Sequence, residues 1–354
     1  MLHFHAEKAL EPPCTDCAIT SMQAHLEYTA DGSVADADTG MWMHHIVFEN
    51  FARKEGVCGW DGQRFFASGN ERALIDFGAS KEGNVGYWFE EGDQIGFGGE
   101  LMNMGTEEVE VEVSVTWGVV EGAEEMGRVM PYWLDIGGCG SSERPAANAS
   151  IFSYTSPAVT SEEISGKIVF IGAHLHDGGE KLSVLRNGEA ICTSTPEYRN
   201  DHISSMPPCV DAGVVSKGDE WRIRADYDTY TYAPMLNADG SLEPIMGIAL
   251  AYVLQSDDTP ATHKSGGNGW VISFFILIAL AVMGGVGYVL WNRRRVAVWP
   301  RWAGGRARYG ALDGAGREEG EAFVGDDGEE EEEENVWARQ TRGSVRLPGG
   351  DGRL

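Results

Sequence analysis

Residues 270–291 read WVISFFILIALAVMGGVGYVLW, a run without a single charge. A helix needs about 20 apolar residues to cross the hydrocarbon core of a bilayer, so this run predicts one transmembrane helix. Trp270, Tyr288 and Trp291 stand near its ends, where amphipathic rings favour the membrane interface. Arg293, Arg294 and Arg295 follow at once, and Arg301, Arg306 and Arg308 lie close behind. The positive-inside rule then puts the C-terminal side in the cytoplasm and everything before residue 270 outside or in a lumen, at the plasma membrane or along the secretory pathway. The expected order is a leader remnant (1–13), a first domain (14–150), a second domain (151–255), a polar linker (256–269), the membrane helix (270–291) and a cytoplasmic tail (292–354). MLHFHAEKALEPP has no apolar region of the kind a signal peptide carries. A missing start is the preferred expectation, with a mature form, or a membrane helix that itself drives translocation, as alternatives.

Cysteine placement agrees with this topology. Cys14, Cys17, Cys58, Cys139, Cys192 and Cys209 all precede the apolar run. An even number on one side of a membrane segment predicts disulfides in an oxidising compartment and leaves their pairing open. Cys14-Thr-Asp-Cys17 also fits a redox pair or half a zinc site; without a second CxxC a structural role is preferred. Asn148-Ala-Ser150 is a glycosylation acceptor pattern.

The part before the linker reads as all-β. Val109, Val111, Val113, Val115 and Trp117 alternate with Glu110, Glu112, Ser114 and Thr116, and Trp221, Ile223 and Ala225 alternate with Arg222 and Arg224, the period of a half-buried strand. Asn187-Gly188 between KLSVLR and EAICTS predicts a tight hairpin. Residues 245–254 are short and almost wholly apolar, as a central strand would be. Asp31-Gly32 and Asp239-Gly240 mark turns.

Charge removes one class of function. With 55 acidic against 27 basic residues and a net charge of −28, the chain repels nucleic acid. Part of that charge is the unbroken run Glu329–Glu334, expected to stay disordered as a solvated tail and available to a cytoplasmic partner.

Histidine spacing offers the clearest chemistry. In KIVFIGAHLHDGG, His174 and His176 are two apart and would share one face of a strand, so both can reach one metal. His44 and His45 are adjacent and would face opposite sides; they can share an ion only at a strand end or bulge, or through different ring nitrogens. Ordinary polar packing is the competing account of either pair. Asp226 and Asp228 flank Tyr227 as a carboxylate pair that a hydrogen-bonded turn explains equally well, and His202 followed by Ser205 fixes no geometry. No GxSxG, HExxH or P-loop is present.

WMHHIVFEN, RFFASGNER, GELMNMG, PYWLDIGGCG, FIGAHLHDGGEKL, HISSMPPC and EPIMGIALAYV, in that order, resemble the stress up-regulated nodulin family (Nod nineteen type) in its fungal form, over roughly residues 14–254. More distantly the same order resembles the copper type II, ascorbate-dependent monooxygenases, the peptidylglycine- and dopamine-hydroxylating enzymes. That resemblance implies two tandem antiparallel β-sandwich, jelly-roll-like domains, each with one copper, and a reductant such as ascorbate. His44 and His45 match the pair of the first site, whose third histidine is replaced by Met102 or Met104 of GELMNMG; His174, His176 and Met246 match the second. The Arg and Tyr with which the peptide-amidating enzymes hold a carboxylate correspond to Gly172 and Leu250, so peptide amidation is not expected. His202 is of interest through the resemblance alone, as a residue supporting the ligands. The resulting expectation is a membrane-anchored copper-binding protein with one copper at His174, His176 and Met246 and a second at His44, His45 and Met102. The alternatives are a non-enzymatic, stress-related surface protein with degenerate metal sites, and an adhesive sandwich with vestigial histidines.

Overall fold

The computed structural model describes residues 2–160, 164–237, 240–256 and 339–345. The predicted linker after residue 256, the membrane run, the acidic tail and Asp239 lie outside them. Among the described residues the protein is all-β, apart from one short 3-10 turn at Phe77–Ala79. No helix there is long and apolar enough to cross a membrane.

The backbone of the fold is a nine-stranded sheet. Its path runs Cys209–Val215, Gly166–Leu175, Gly247–Gln255, Gly127–Asp135, Val85–Phe89, Cys17–Tyr28, Val111–Glu121 and Arg339–Val345, with Ile75–Asp76 paired to Cys17–Tyr28. A four-stranded sheet, Leu2–Leu10, Ile95–Asn103, Met41–Lys54 and Asp61–Gly69, covers one part of it; a five-stranded sheet built on Glu220–Asp228 and Gly179–Arg186 covers another.

The residues that alternate along the central strands belong to two different cores. Leu250 and Tyr252 enter the core under the four-stranded sheet, while Ala249, Ala251 and Val253 enter the core under the five-stranded sheet. Trp133 and Val129 divide from Met130, Tyr132 and Leu134 in the same way. A strand buried on both faces cannot carry polar residues at every second position, which is why residues 245–254 read as one apolar run. By contrast Val111, Val113, Val115 and Trp117 are buried on one face only, among partly covered or exposed neighbours such as Glu112 and Thr116.

The expected turn is present: Leu182 to Arg186 pairs with Glu189 to Ser194 across Asn187 (φ 52°) and Gly188 (φ 84°), the two left-handed positions of a tight hairpin. The residues of the N-terminal segment form the edge strand Leu2–Leu10, which pairs with Ile95–Asn103. All six cysteines are bonded, as Cys14–Cys17, Cys58–Cys139 and Cys192–Cys209. Cys58–Cys139 ties the turn after Met41–Lys54 to the turn after Gly127–Asp135, and Cys192–Cys209 ties the five-stranded sheet to the edge of the nine-stranded one.

Candidate metal centre

Both histidine pairs lie in the space between the four-stranded sheet and the facing side of the nine-stranded sheet, and they meet. His174 is near the end of Gly166–Leu175, and His176 follows it. Asp177 and Gly178 (φ 88°) turn the chain at once, because a Cβ at 178 would sit 2.8 Å from Thr229 and 3.1 Å from the Tyr232 carbonyl. The rings of His174 and His176 are 5.4 Å apart, and that of His44 is 4.7 Å from His176.

His44 gets there through a bulge. Opposite Ile95–Asn103 the register runs Met43 to Leu101 and then His45 to Glu100, so His44 has no partner of its own. The extra residue re-aims both side chains. His44 Nδ1 and His45 Nδ1 come within 2.9 Å, with Glu100 Oε2 3.1 Å from the former and 3.7 Å from the latter.

Three ring nitrogens decide what the site can do. His174 Nδ1 bonds Glu71 Oε1 at 3.0 Å, His176 Nδ1 bonds the Pro244 carbonyl at 2.7 Å, and His44 Nδ1 faces Glu100 and His45. Each Nδ1 is thereby engaged, which leaves the Nε2 lone pair as the free donor. The Nε2 atoms of His44, His174 and His176 are all buried without a hydrogen-bond partner. Glu243 Oε1 approaches His44 Nε2 to 2.5 Å but out of hydrogen-bond alignment. A buried polar atom without a partner costs about 1–3 kcal/mol, and three histidines lining one small cavity fit a cation with nitrogen ligands. His44, His176 and Glu243 each present a ligand atom within 4.8 Å of the others. The cavity they share with His174, Glu71 and Met235 measures about 10 Å³, room for a single ion or water.

The electrostatics agree. Burial draws the His44 imidazole down, but Glu100 and Glu243, both within ion-pair distance, outweigh it and raise its pKa to about 9. Burial and the neighbouring His44 charge lower His45 to about 4, and burial with the His44 and His174 charges pushes His176 well below its ordinary value. Without a metal the cluster therefore concentrates its proton on His44 and keeps His45 and His176 neutral. Burial opposes charge on Glu71, yet the His174 ring beside it holds its carboxyl below the ordinary range.

A second, larger cavity of about 260 Å³ opens on the other side of His174. His45, Glu71, His174 and Met246 form one end of it, and Gly172, Leu250, Ile248, Trp133 and Arg64 line its wall. Met246 is thus beside His174 but not in the small cavity. Met102 is opposite Trp42 in the sheet, two residues beyond Glu100, and lines neither cavity. The strand position offered by GELMNMG is filled at the histidines by Glu100. His202 Nδ1 donates at 2.6 Å to the carboxylate of buried Asp177, the residue after His176, and its ring packs edge-on against Trp42. Asn148 is exposed in a loop.

Sequence reasoning missed Glu71, Glu100 and Glu243. All three stand inside motifs that carry the family resemblance, and for Glu100 a carboxylate within a largely apolar strand is itself a signal of a partner.

No family model matches the chain. Two curated relatives do. One, "Probable copper-dependent oxygenase M1" of Phoma sp. (strain ATCC 20986 / MF5453), is 39 % identical over 333 residues, covering 91 % of this chain and 84 % of the relative. Another, "Probable copper-dependent oxygenase clz3" of Cochliobolus lunatus, is 39 % identical over 303 residues, covering 81 % of this chain and 96 % of the relative. A solved structure of infectious bursal disease virus Gx strain overlaps 72 % of this chain and 62 % of its own at 11 % identity with a TM-score of 0.20, too slight a likeness to bear on the fold.

Proposed function

Because the chain belongs to the family of probable copper-dependent oxygenases, we propose that it is itself a copper-dependent oxygenase of the monooxygenase type, with one copper held by His44, His174, His176 and Glu243. The observation that carries this reading is that His44, His176 and Glu243, all buried, each present a ligand atom within 4.8 Å of the others, around a small cavity that His174 also lines. Imidazole nitrogens with one carboxylate suit copper. Copper, when bound, supplies the one-electron chemistry that dioxygen requires. The chain's own residues do the rest. Glu71, the Pro244 carbonyl and Glu100 fix the three rings through their Nδ1 atoms, Asp177 and His202 brace the turn after His176, and the larger cavity gives the His174 side an apolar approach.

A single centre is favoured over two because His44, His176 and Glu243 are all buried, whereas His45 and Glu100 of the other possible grouping are only partly so. The Nδ1 side of His44 is already occupied by His45 and Glu100. Met246 supports an additional soft contact from the pocket side of His174. A reductant such as ascorbate, and two sandwich units sharing the central strands, complete the reading by resemblance.

The test is copper content by elemental analysis of the full-length chain made through an oxidising secretory route. One copper per chain is expected, lost in His176→Ala. Two would place a second ion at His45 and Glu100 and end the single-centre reading, while no tightly held copper would leave a non-enzymatic β protein.

The apolar run at 270–291 and three disulfides support a membrane-anchored protein with its globular part outside, Asn148 glycosylated and the acidic tail facing a cytoplasmic partner. One observation favours a second topology: Arg339–Val345 pairs with Val111–Glu121, which requires the tail to stay on the domain's side. Protease added to sealed microsomes removes a C-terminal tag in the first case and spares it in the second.

A further inference from the structure

The larger cavity has one apolar wall and one cation. Val47, Ala67, Ile75, Gly172, Ile248 and Leu250 give it a hydrocarbon lining. Gly172 contributes open space, since a Cβ there would meet only Phe170, at an ordinary 3.5 Å. Arg64, half-buried, lies with its guanidinium 4.4 Å from the centre of the Trp133 ring and 5.4 Å from that of Trp60. Its cross-strand partner is Glu49, which lines the same pocket.

Two of the three acidic groups whose charge acts on Arg64 are engaged elsewhere. Glu55 accepts from the Val57 and Cys58 amides, and Asp135 accepts from the Gly137 amide, Ser142 and Trp133. Burial pulls the Arg64 pKa down, opposed by the charges of Glu55, Glu49 and Asp135, and a guanidinium stays protonated regardless. Arg64 thus brings five donors, stacked on an indole, to the rim of an apolar pocket. The rest of the pocket's charge is negative or spent, with Glu71 bonded to His174.

Register sets the distance from this cation to the centre. Arg64 pairs with Glu49 and Gly69 pairs with His45, so about four residues of extended strand, about 13 Å, separate Arg64's level from that of His45. A 260 Å³ space falls just below the usual range of ligand pockets, about 300 Å³ upward, and suits a slender ligand.

We infer that this pocket binds an amphiphilic carboxylic acid, its carboxylate on the Arg64 fork and its apolar body lying along Leu250 and Ile248 towards His45, His174 and Met246. A planar guanidinium matches a carboxylate with two parallel hydrogen bonds, which no neutral oxygen group can reproduce. The inference rests on the oxygenase reading for what happens at the far end, but not for the binding itself. Peptide-type recognition through the position of Gly172 is absent here; Arg64, from the opposite sheet, is a different anchor.

The probes are decanoate, whose chain is of the order of the pocket's length, decan-1-ol and decylammonium, titrated calorimetrically into the full-length chain with and without copper. Decanoate is expected to bind at least tenfold more tightly than decanol, and decylammonium not measurably. Arg64→Gln should erase the acid-over-alcohol preference at unchanged copper content. Gly172→Leu should weaken acid and alcohol alike by filling the hydrocarbon wall. Equal affinity for acid and alcohol in the unaltered protein, no binding of decanoate, or a preference that survives Arg64→Gln would each overturn the inference. Should Arg64→Gln not fold, the preference of the unaltered protein and the response to Gly172→Leu still decide it. Loss of the preference with copper retained would leave the oxygenase reading standing; absence of copper with the preference intact would leave this one.

Discussion

The two histidine pairs reach the same few ångströms by different routes. His174 and His176 arrive at the end of a regular strand, the first at its last position but one and the second just past its end. His44 and His45 arrive through an irregularity, a bulge at which the register with Ile95–Asn103 slips by one. A regular strand would have sent one of them into the core and the other away from it. The first pair is a consequence of secondary structure; the second is a departure from it, placed where a departure has a use.

That contrast has a sharp consequence for His44 and His45. Adjacent in sequence and 2.9 Å apart through Nδ1, they are expected to behave very differently. His44→Ala removes a buried Nε2 donor and should lower copper affinity by more than the roughly 10–100-fold typical of losing an outer partner. His45→Ala, whose ring lines the pocket rather than the small cavity, should change copper affinity less than tenfold. Competition titration against a copper chelator measures both, and equal losses would mean that the pair ligates together.

Each pair also has its own covalent brace. Cys58–Cys139 follows the strand of His44, while Cys209 is opposite Ile171 on the strand of His174. The sequence separations are 81 and 17 residues. Loop-closure entropy predicts a loss of about 4–5 kcal/mol for the first and about 3 kcal/mol for the second when Cys pairs are changed to Ser. Thermal unfolding of the two double variants orders them; the reverse order would show that native packing, not unfolded-chain entropy, sets the value.

How much of this was legible beforehand follows the same contrast. The alternation of Val111 to Trp117, the Asn187-Gly188 hairpin and the two-sided burial of residues 247–255 are local patterns, and local patterns survive in a sequence. The His174/His176 face is of that kind. The bulge at His44 depends on the partner strand, so residues 41–50 alone allow it without requiring it. Glu71 sits 103 residues from the His174 it orients, and no spacing connects them. Motif order offers Met102 at a ligand position, and from the same strand Glu100 reaches the histidines. Motif order finds the strand; only the register finds the residue.

Glu71 tests the regular side of the contrast. Buried and bonded to His174 Nδ1, it fixes which nitrogen of that ring is free. Glu71→Gln keeps the shape but weakens the hold on the ring's orientation, so copper affinity should fall by roughly 10–100-fold, with His174→Ala and the double variant no worse than His174→Ala alone. Additive losses in that cycle would mean that Glu71 acts on the metal independently of His174.

The smallest expected effect comes from Gly69, where the two routes touch. Gly69 is the cross-strand partner of His45, and a Cβ added there would lie 2.6 Å from Glu71 Oε2 and 3.0 Å from His174 Cε1. Neither can retreat freely, because each holds the other in a buried hydrogen bond. Gly69→Ala should therefore cost about 1–3 kcal/mol of stability through overpacking, and lower copper affinity by a few-fold, less than Glu71→Gln does. If affinity falls while the melting temperature holds, the clash has been relieved by turning His174 off the centre. If the melting temperature falls while affinity holds, the His44 strand has moved instead, and the bulge is the softer of the two supports.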